Sequence, residues 1–222
     1  MIVAAPANAV TPPFRSRSRP GSRARRLIAI EGGPGSGVTA VAACVHRELG
    51  ITTVPCPDPR FVDLSWEHPT IANGTRTMLW RAALRCVTEH PHVLDAPGEV
   101  LMAGYTVTAM AAFLTDLDPD TADPDEETAR LQRHLPPADL TIHLCVSPHE
   151  AIRRLDAAEN PTPRHRGMVA FRHLLVDRLH AQTRIAAAFP GPVVDTDHRS
   201  VEDVADTVTS LICETGPGSD PA

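Results

Sequence analysis

The sequence predicts an α/β fold with a mainly parallel five-stranded sheet between two layers of helices. Three observations carry that prediction. Short apolar runs rich in Val, Ile and Leu alternate with longer stretches at helical spacing from residue 26 onward. Strands separated by helices need crossover connections, which parallel neighbours require. A Gly-rich turn, EGGPGSGVTA at 31–40, joins the first run to the first helix, where an anion can sit on a helix N-terminus.

The elements follow in order. RLIAIE (26–31) reads as a buried strand, and VTAVAACVHREL (38–49) as a helix with apolar positions 38, 41, 42, 45 and 49 that Gly50 can end. ITTVPC (51–56) is the second strand, and 57–69 is loop-like. Residues 76–90 form a helix that stops before Pro91, HVLDA (92–96) the third strand, and the mainly apolar stretch 99–114 a helix buried on most sides. An acidic, proline-bearing connection (115–127) leads to a short helix at 126–134. DLTIHLCV (139–146) is the clearest strand, followed by a helix at 149–158 and a basic, Pro-rich loop at 159–167. A long helix (168–189), a last strand (192–197) and a last helix (200–212) complete the domain, and the tail 214–222 is expected to be mobile. Residues 1–25, with Arg15, Arg17, Arg19, Arg23 and Arg25 among Ser, Pro and Ala, read as a disordered basic arm.

Composition narrows the function classes. The 222 residues suffice for one domain with a substantial core. No apolar run reaches the ~18 residues of a membrane span, and the arm lacks the apolar segment of a secretory signal. A net charge of -6 argues against a nucleic-acid-binding core domain. Five widely spaced cysteines without a C-x-x-C point to reduced thiols and a cytoplasmic setting. Histidines 134, 143, 165, 173 and 180 show no metal-ligand spacing.

The turn at 31–40 carries the chemistry. Gly32, Gly37 and Thr39 fit the phosphate-loop pattern G-x-x-x-x-G-K-[ST], while Val38 stands at the lysine position. Gly33, Gly35, Ser36 and Gly37 suit a turn that aims backbone N–H groups at an anion, and Thr39 offers a hydroxyl to a magnesium ion. A plain structural turn would use the same glycines. The chain contains no lysine; all 21 basic residues are arginine. Any cation that meets a phosphate here is therefore arginine, a metal ion or a partner's group.

These segments together resemble the thymidylate kinases and related nucleoside and nucleotide kinases. LIAIEGGPGSGVTA, PADLTIHLCVSPHEAIRRL (137–155) and FPGPVVDTDHRSVEDVADTVTSLI carry the likeness, which covers about residues 26–213. It implies a three-layer P-loop sandwich that uses ATP and magnesium. The family's Asp-Arg motif after the third strand falls at Asp95-Ala96, so Asp95 is expected near the magnesium and the acceptor phosphate, and the arginine is absent. Trp80 and Arg85 lie on the helix that lines the acceptor pocket in the family, with core packing and a surface charge as the ordinary alternatives. The basic stretch RRLDAAENPTPRHR, with Arg153, Arg154, Arg164 and Arg166, falls where the family carries its lid (about 156–167), whose arginine forks grip phosphate oxygens.

Two functions follow. One is a nucleoside or nucleotide kinase that moves phosphate from ATP to a thymidylate-like nucleoside or nucleoside monophosphate, with lid arginines replacing the lysine. The other is a pseudokinase, a catalytically impaired scaffold for a nucleotide or a protein partner. Related kinases are commonly dimers, and the apolar stretch 99–114 is the expected face for a homodimer.

Overall fold

The computed structural model describes residues 26–67, 98–116 and 135–216, together with positions 75, 78–80, 82, 83, 86 and 129. The expected arm, the strand at 92–96, Arg85, Asp95 and nearly all of the acidic connection lie outside these residues.

The chain opens with β1 (Arg26–Gly32), buried along almost its whole length. A strand covered on both faces has to be apolar on both, which is why its sequence shows no polar alternation. The turn leads into α1 (Val38–Leu49), β2 (Thr52–Pro55) and α2 (Pro59–Glu67). Next come β3 (Glu99–Ala103), α3 (Thr106–Asp116), β4 (Leu140–Cys145), α4 (Pro148–Asp156), α5 (Pro163–Ala170) and α6 (Arg172–Ala186). The fold closes with β5 (Val193–Asp195) and α7 (Val201–Glu214).

The five strands form one sheet in the order β2-β3-β1-β4-β5, with every pairing parallel. Successive residues of β1 serve opposite layers. Ile28 and Ile30 pack with Val41, Val45, Val204 and Val208 of α1 and α7. Leu27 and Ala29 pack with Met110 of α3 and Ile185 of α6 on the other face. The three-layer architecture is thus the one expected.

Four elements differ from the sequence reading. The strand beside β1 is Glu99–Ala103, inside the stretch assigned to a helix. A short apolar run cannot be sorted into strand or helix by periodicity alone. The helix begins only at Thr106, after Gly104, which holds φ +77 and whose Cβ would press within 2.5 Å of Cys56 O. On that helix Val107, Ala109, Met110, Ala111 and Ala112 are buried within this fold. Residues 59–67 are helical rather than loop-like, with Val62 in the core. Part of the expected lid loop is helix α5, and the expected long helix is interrupted at Phe171, where φ -117 and ψ 63 leave the helical region.

Candidate functional site

In an open parallel sheet, ligands bind outside the C-terminal strand ends. Here that edge presents Asp58 after β2, Gly104 after β3, the Gly-rich turn after β1, Ser147 after β4 and Thr196–Asp197 after β5.

The turn is tightly built. Ser36 N and Ser36 Oγ both donate to Gly33 O, at 3.1 and 2.7 Å. Gly35 and Gly37 hold φ +81 and +88, which glycine adopts without strain. A Cβ on Gly35 would lie 2.8 Å from Ala151 Cα, so α4 presses directly on the loop. A Cβ on Gly32 would collide with Ser36 Oγ and lie 2.6 Å from Val38 Cγ2. The Val38 side chain therefore folds back over the base of the loop and joins the apolar layer under α1.

Helix α1 starts at Gly37 with no side-chain cap and no acidic residue in its first turn. Among the described residues, the N–H groups of Gly33, Gly35 and Gly37 donate to no other group. Around the Cβ position of Gly37 nothing lies within 4 Å. Thr39 is exposed, and its hydroxyl makes no hydrogen bond among the described residues. Free N–H groups, an uncapped helix start and open space make an anion cradle.

The carboxylate beside the loop is one that sequence reasoning missed. Glu31 is buried and accepts from Tyr105 N at 2.9 Å, Val107 N at 2.9 Å, Thr108 N at 3.0 Å and Thr108 Oγ1 at 2.6 Å. Its oxygens cap the start of α3, so it positions that helix beside the loop. Its signal was present in the sequence as a lone Glu ending an apolar strand. Asp58 is also buried and forms an ion pair with Arg60 at 2.5 Å. Between them, burial first and then the charges of Glu31 and Asp58 push the Cys56 thiol well above its ordinary value, which keeps it unreactive.

The residues just past β3 are Gly104 and Tyr105, so this strand end carries neither an Asp nor an Arg. Asp95 lies outside the described residues.

The lid arginines divide into two groups. Glu150, 1% exposed along its side chain, accepts from Arg153 at 2.6 and 2.7 Å and from Arg154 at 2.8 Å. Arg153, then Arg154, hold its carboxyl down to about 2. Arg154 also reaches Gly35 O at 3.1 Å and Thr196 Oγ1 at 3.2 Å, and bonds Thr196 O. It ties the loop to the end of β5. Arg164 and Arg166 sit in the first turns of α5. Arg164 lies 5.8 Å from the centre of the Trp80 ring, and Arg166 is exposed, donating to Pro161 O at 2.8 Å.

Trp80 is 1% exposed and belongs to the core. Arg164 and Arg178 stand over its ring, Arg178 at 5.9 Å and bonded to Thr115 Oγ1 at 3.0 Å. Arg178, nearly fully buried on α6, had no sequence signal beyond its charge on an otherwise ordinary helix. Among the described residues no cluster of His, Cys, Asp and Glu is placed to hold a metal ion, and no helix is long and apolar enough to cross a membrane.

Comparison with known proteins gives the fold independently. No family model matches the chain, and no curated protein matches it. Solved structures do. Thymidylate kinase from Candida albicans superposes with TM-score 0.64 at 16% identity, over 84% of this chain and 90% of that one. Deoxyadenosine kinase from M. mycoides with bound dATP gives TM-score 0.60 at 14% identity, over 83% and 97%. The same enzyme with bound dCTP gives 0.61 at 14% identity. The chain shares the fold of these P-loop kinases over nearly their full length.

Proposed function

We propose that this chain is a nucleotide-binding protein of kinase architecture, which holds nucleotide phosphates in the Gly32–Thr39 loop and transfers phosphate poorly. The observation that supports it is the cradle itself: open N–H groups and an uncapped helix start, with a valine in place of the cation. The free N–H groups of Gly33, Gly35 and Gly37 fit a triphosphate, and ATP is the ligand that the shared fold suggests. The free hydroxyl of Thr39 fits a magnesium ion, with Asp95 as the further carboxylate that the sequence offers. Magnesium bound there would neutralise charge on the phosphate oxygens.

The chain's own residues explain binding better than transfer. Backbone dipoles stabilise a bound anion whatever its stage of reaction. Transfer needs charge placed where the γ-phosphoryl group moves. Val38 supplies none, and the end of β3 supplies none. Loss of one such contact costs on the order of 10²–10³ in rate. Arg153 and Arg154, which could compensate, are held by Glu150. A scaffold of this kind acts through its bound nucleotide or a protein partner.

A second reading is an active kinase for a nucleoside or nucleoside monophosphate. It is favoured by Arg166, exposed and bonded to a single carbonyl, on the short helix next to Arg164. Those two side chains would swing over the phosphates and act for the absent lysine.

Calorimetric titration with ATP and magnesium, followed by a transfer assay across nucleosides and nucleoside monophosphates, separates the readings. Binding without transfer is the expected result. Turnover at ~1–100 s⁻¹, ordinary for kinases, would establish the second reading. Absence of ATP binding would remove both.

A further inference from the structure

A cavity of about 390 Å³ lies on the α6 side of the sheet, between that helix, β4, β5 and the segment leading into β5. Helix α1, whose N-terminus forms the phosphate cradle, packs on the opposite face. The cavity nevertheless reaches the cradle from behind, because Gly33 lies in its wall.

Its lining is chemically specific. Among the described residues it contains no Arg, Asp or Glu, so none of them compensates a charged ligand. Leu179, Phe189 and Val193 supply apolar walls, and two buried polar side chains interrupt them. Gln182 is 8% exposed and its carboxamide makes no hydrogen bond among the described residues. His143 is 6% exposed; its Nε2–H donates to Phe189 O at 2.9 Å, which leaves Nδ1 as an acceptor without a partner when the ring is neutral. Buried polar groups are normally satisfied. Of the two, His143 Nδ1 is sealed off from the cavity space, so the Gln182 carboxamide is the group that a ligand there completes.

We infer that this cavity is a second ligand site, for a neutral planar heterocycle of nucleobase type or its nucleoside. A carboxamide presents a donor beside an acceptor, which matches the paired donor and acceptor on the edge of a nucleobase. The volume falls within the range of small-molecule sites, which are mostly apolar with a few placed polar groups. The described lining offers no arginine to a phosphate.

Occupancy acts on the loop. A Cβ on Gly33 would collide with Leu179 Cδ2 and lie 3.5 Å from Gln182 Oε1. Leu179 and Gln182 are one turn apart on α6, so a ligand that engages Gln182 shifts the side chains that back Gly33. Coupling between two sites is reciprocal: the heterocycle alters nucleotide affinity by the same factor as nucleotide alters its own. The inference does not depend on phosphate transfer.

The test is calorimetric titration of the full chain with adenosine and with thymidine, for the wild type, Gln182→Leu and Ala187→Phe. Gln182→Leu keeps the bulk of the side chain and removes its hydrogen bonds. Ala187 is an exposed residue of the rim, so phenylalanine there fills the mouth without disturbing the core. The expected result is one-to-one binding of at least one nucleoside by the wild type, weakened tenfold or more in both variants. Should Gln182→Leu melt at a much lower temperature, Ala187→Phe alone decides. Equal affinity in wild type and variants would place the nucleoside elsewhere, such as an acceptor site, and overturn the inference. Absence of binding of either nucleoside by the wild type would overturn it as well.

Discussion

At Val38 an isopropyl group stands where an ammonium would complete the phosphate loop. The valine is half-buried, turned toward Gly32 and packed with the layer under α1. A lysine at this position could keep that contact with its aliphatic stem and extend its charge toward the cradle. Charged hydrogen bonds contribute about 1.5–3 kcal/mol. Val38→Lys should therefore tighten ATP–magnesium binding by roughly tenfold or more, since 1.4 kcal/mol is tenfold. Calorimetry on both proteins, with melting temperature as the control for folding, measures it. Unchanged affinity in a folded variant would mean that this turn does not hold phosphates. Residue by residue, the loop was the most legible part of the site, because its pattern is contiguous and each position has one geometric job. Gln182, Arg178 and Glu31 were not legible. Their significance comes from neighbours 149, 63 and about 75 positions away, and local sequence carries no trace of those contacts.

Helices and strands were read correctly where their periodicity was long, as in α1 and α7, and misread where a short apolar run could serve either state. The stretch 99–103 is a strand because β1 and β2 offer it ladders on both sides, a fact absent from its own sequence. What starts the following helix is Glu31, across the sheet. Replacing it by Gln keeps the volume but turns an amide donor toward backbone N–H donors. Each unsatisfied buried donor costs about 1–3 kcal/mol, so Glu31→Gln should destabilise the fold by about 3 kcal/mol. In a chain of this size that lowers the melting temperature by about 6–12 °C. Equal stability would show that the carboxylate is not the cap of α3.

Helix α4 carries a second, pH-dependent device. Glu150 is depressed from its ordinary 4.5 to about 2, chiefly by Arg153 and then by Arg154. A carboxyl with a lowered folded-state pKa contributes stability that is fully present above its unfolded value and is lost as pH falls toward the folded value. The contribution thus disappears between about pH 4.5 and 2. Glu150→Gln should flatten the stability profile across that window, read from denaturant melts at several pH values. A variant profile as steep as the parent's would assign the acid sensitivity to other carboxyls. The same substitution releases Arg153 and Arg154 from their ion pairs at neutral pH.

At the scale of the whole molecule, the fold was legible because strands and helices alternate, and alternation alone requires crossovers and a parallel sheet. The distribution of positive charge was not. With no lysine in the chain, any cationic side chain that this chain brings to the phosphate is an arginine, and the fold holds its arginines to different degrees. Arg154 is committed to the loop and the end of β5, and Arg153 to Glu150. Arg164 lies on Trp80, and Arg166 on a single carbonyl at the start of α5. Closing motions that bring such side chains over a phosphate affect the transfer step more than first binding. If the chain transfers phosphate, Arg164→Ala and Arg166→Ala should each slow single turnover by at least about tenfold, which is ~1.4 kcal/mol of transition-state stabilisation. ATP affinity in the same variants should change by less, because the backbone cradle is untouched. Equal rates in wild type and both variants would exclude the α5 arginines from the chemistry. Loss of ATP affinity to the same extent as rate would instead make them part of the binding site in the ground state, and would move the phosphate-holding charge from the loop to the lid.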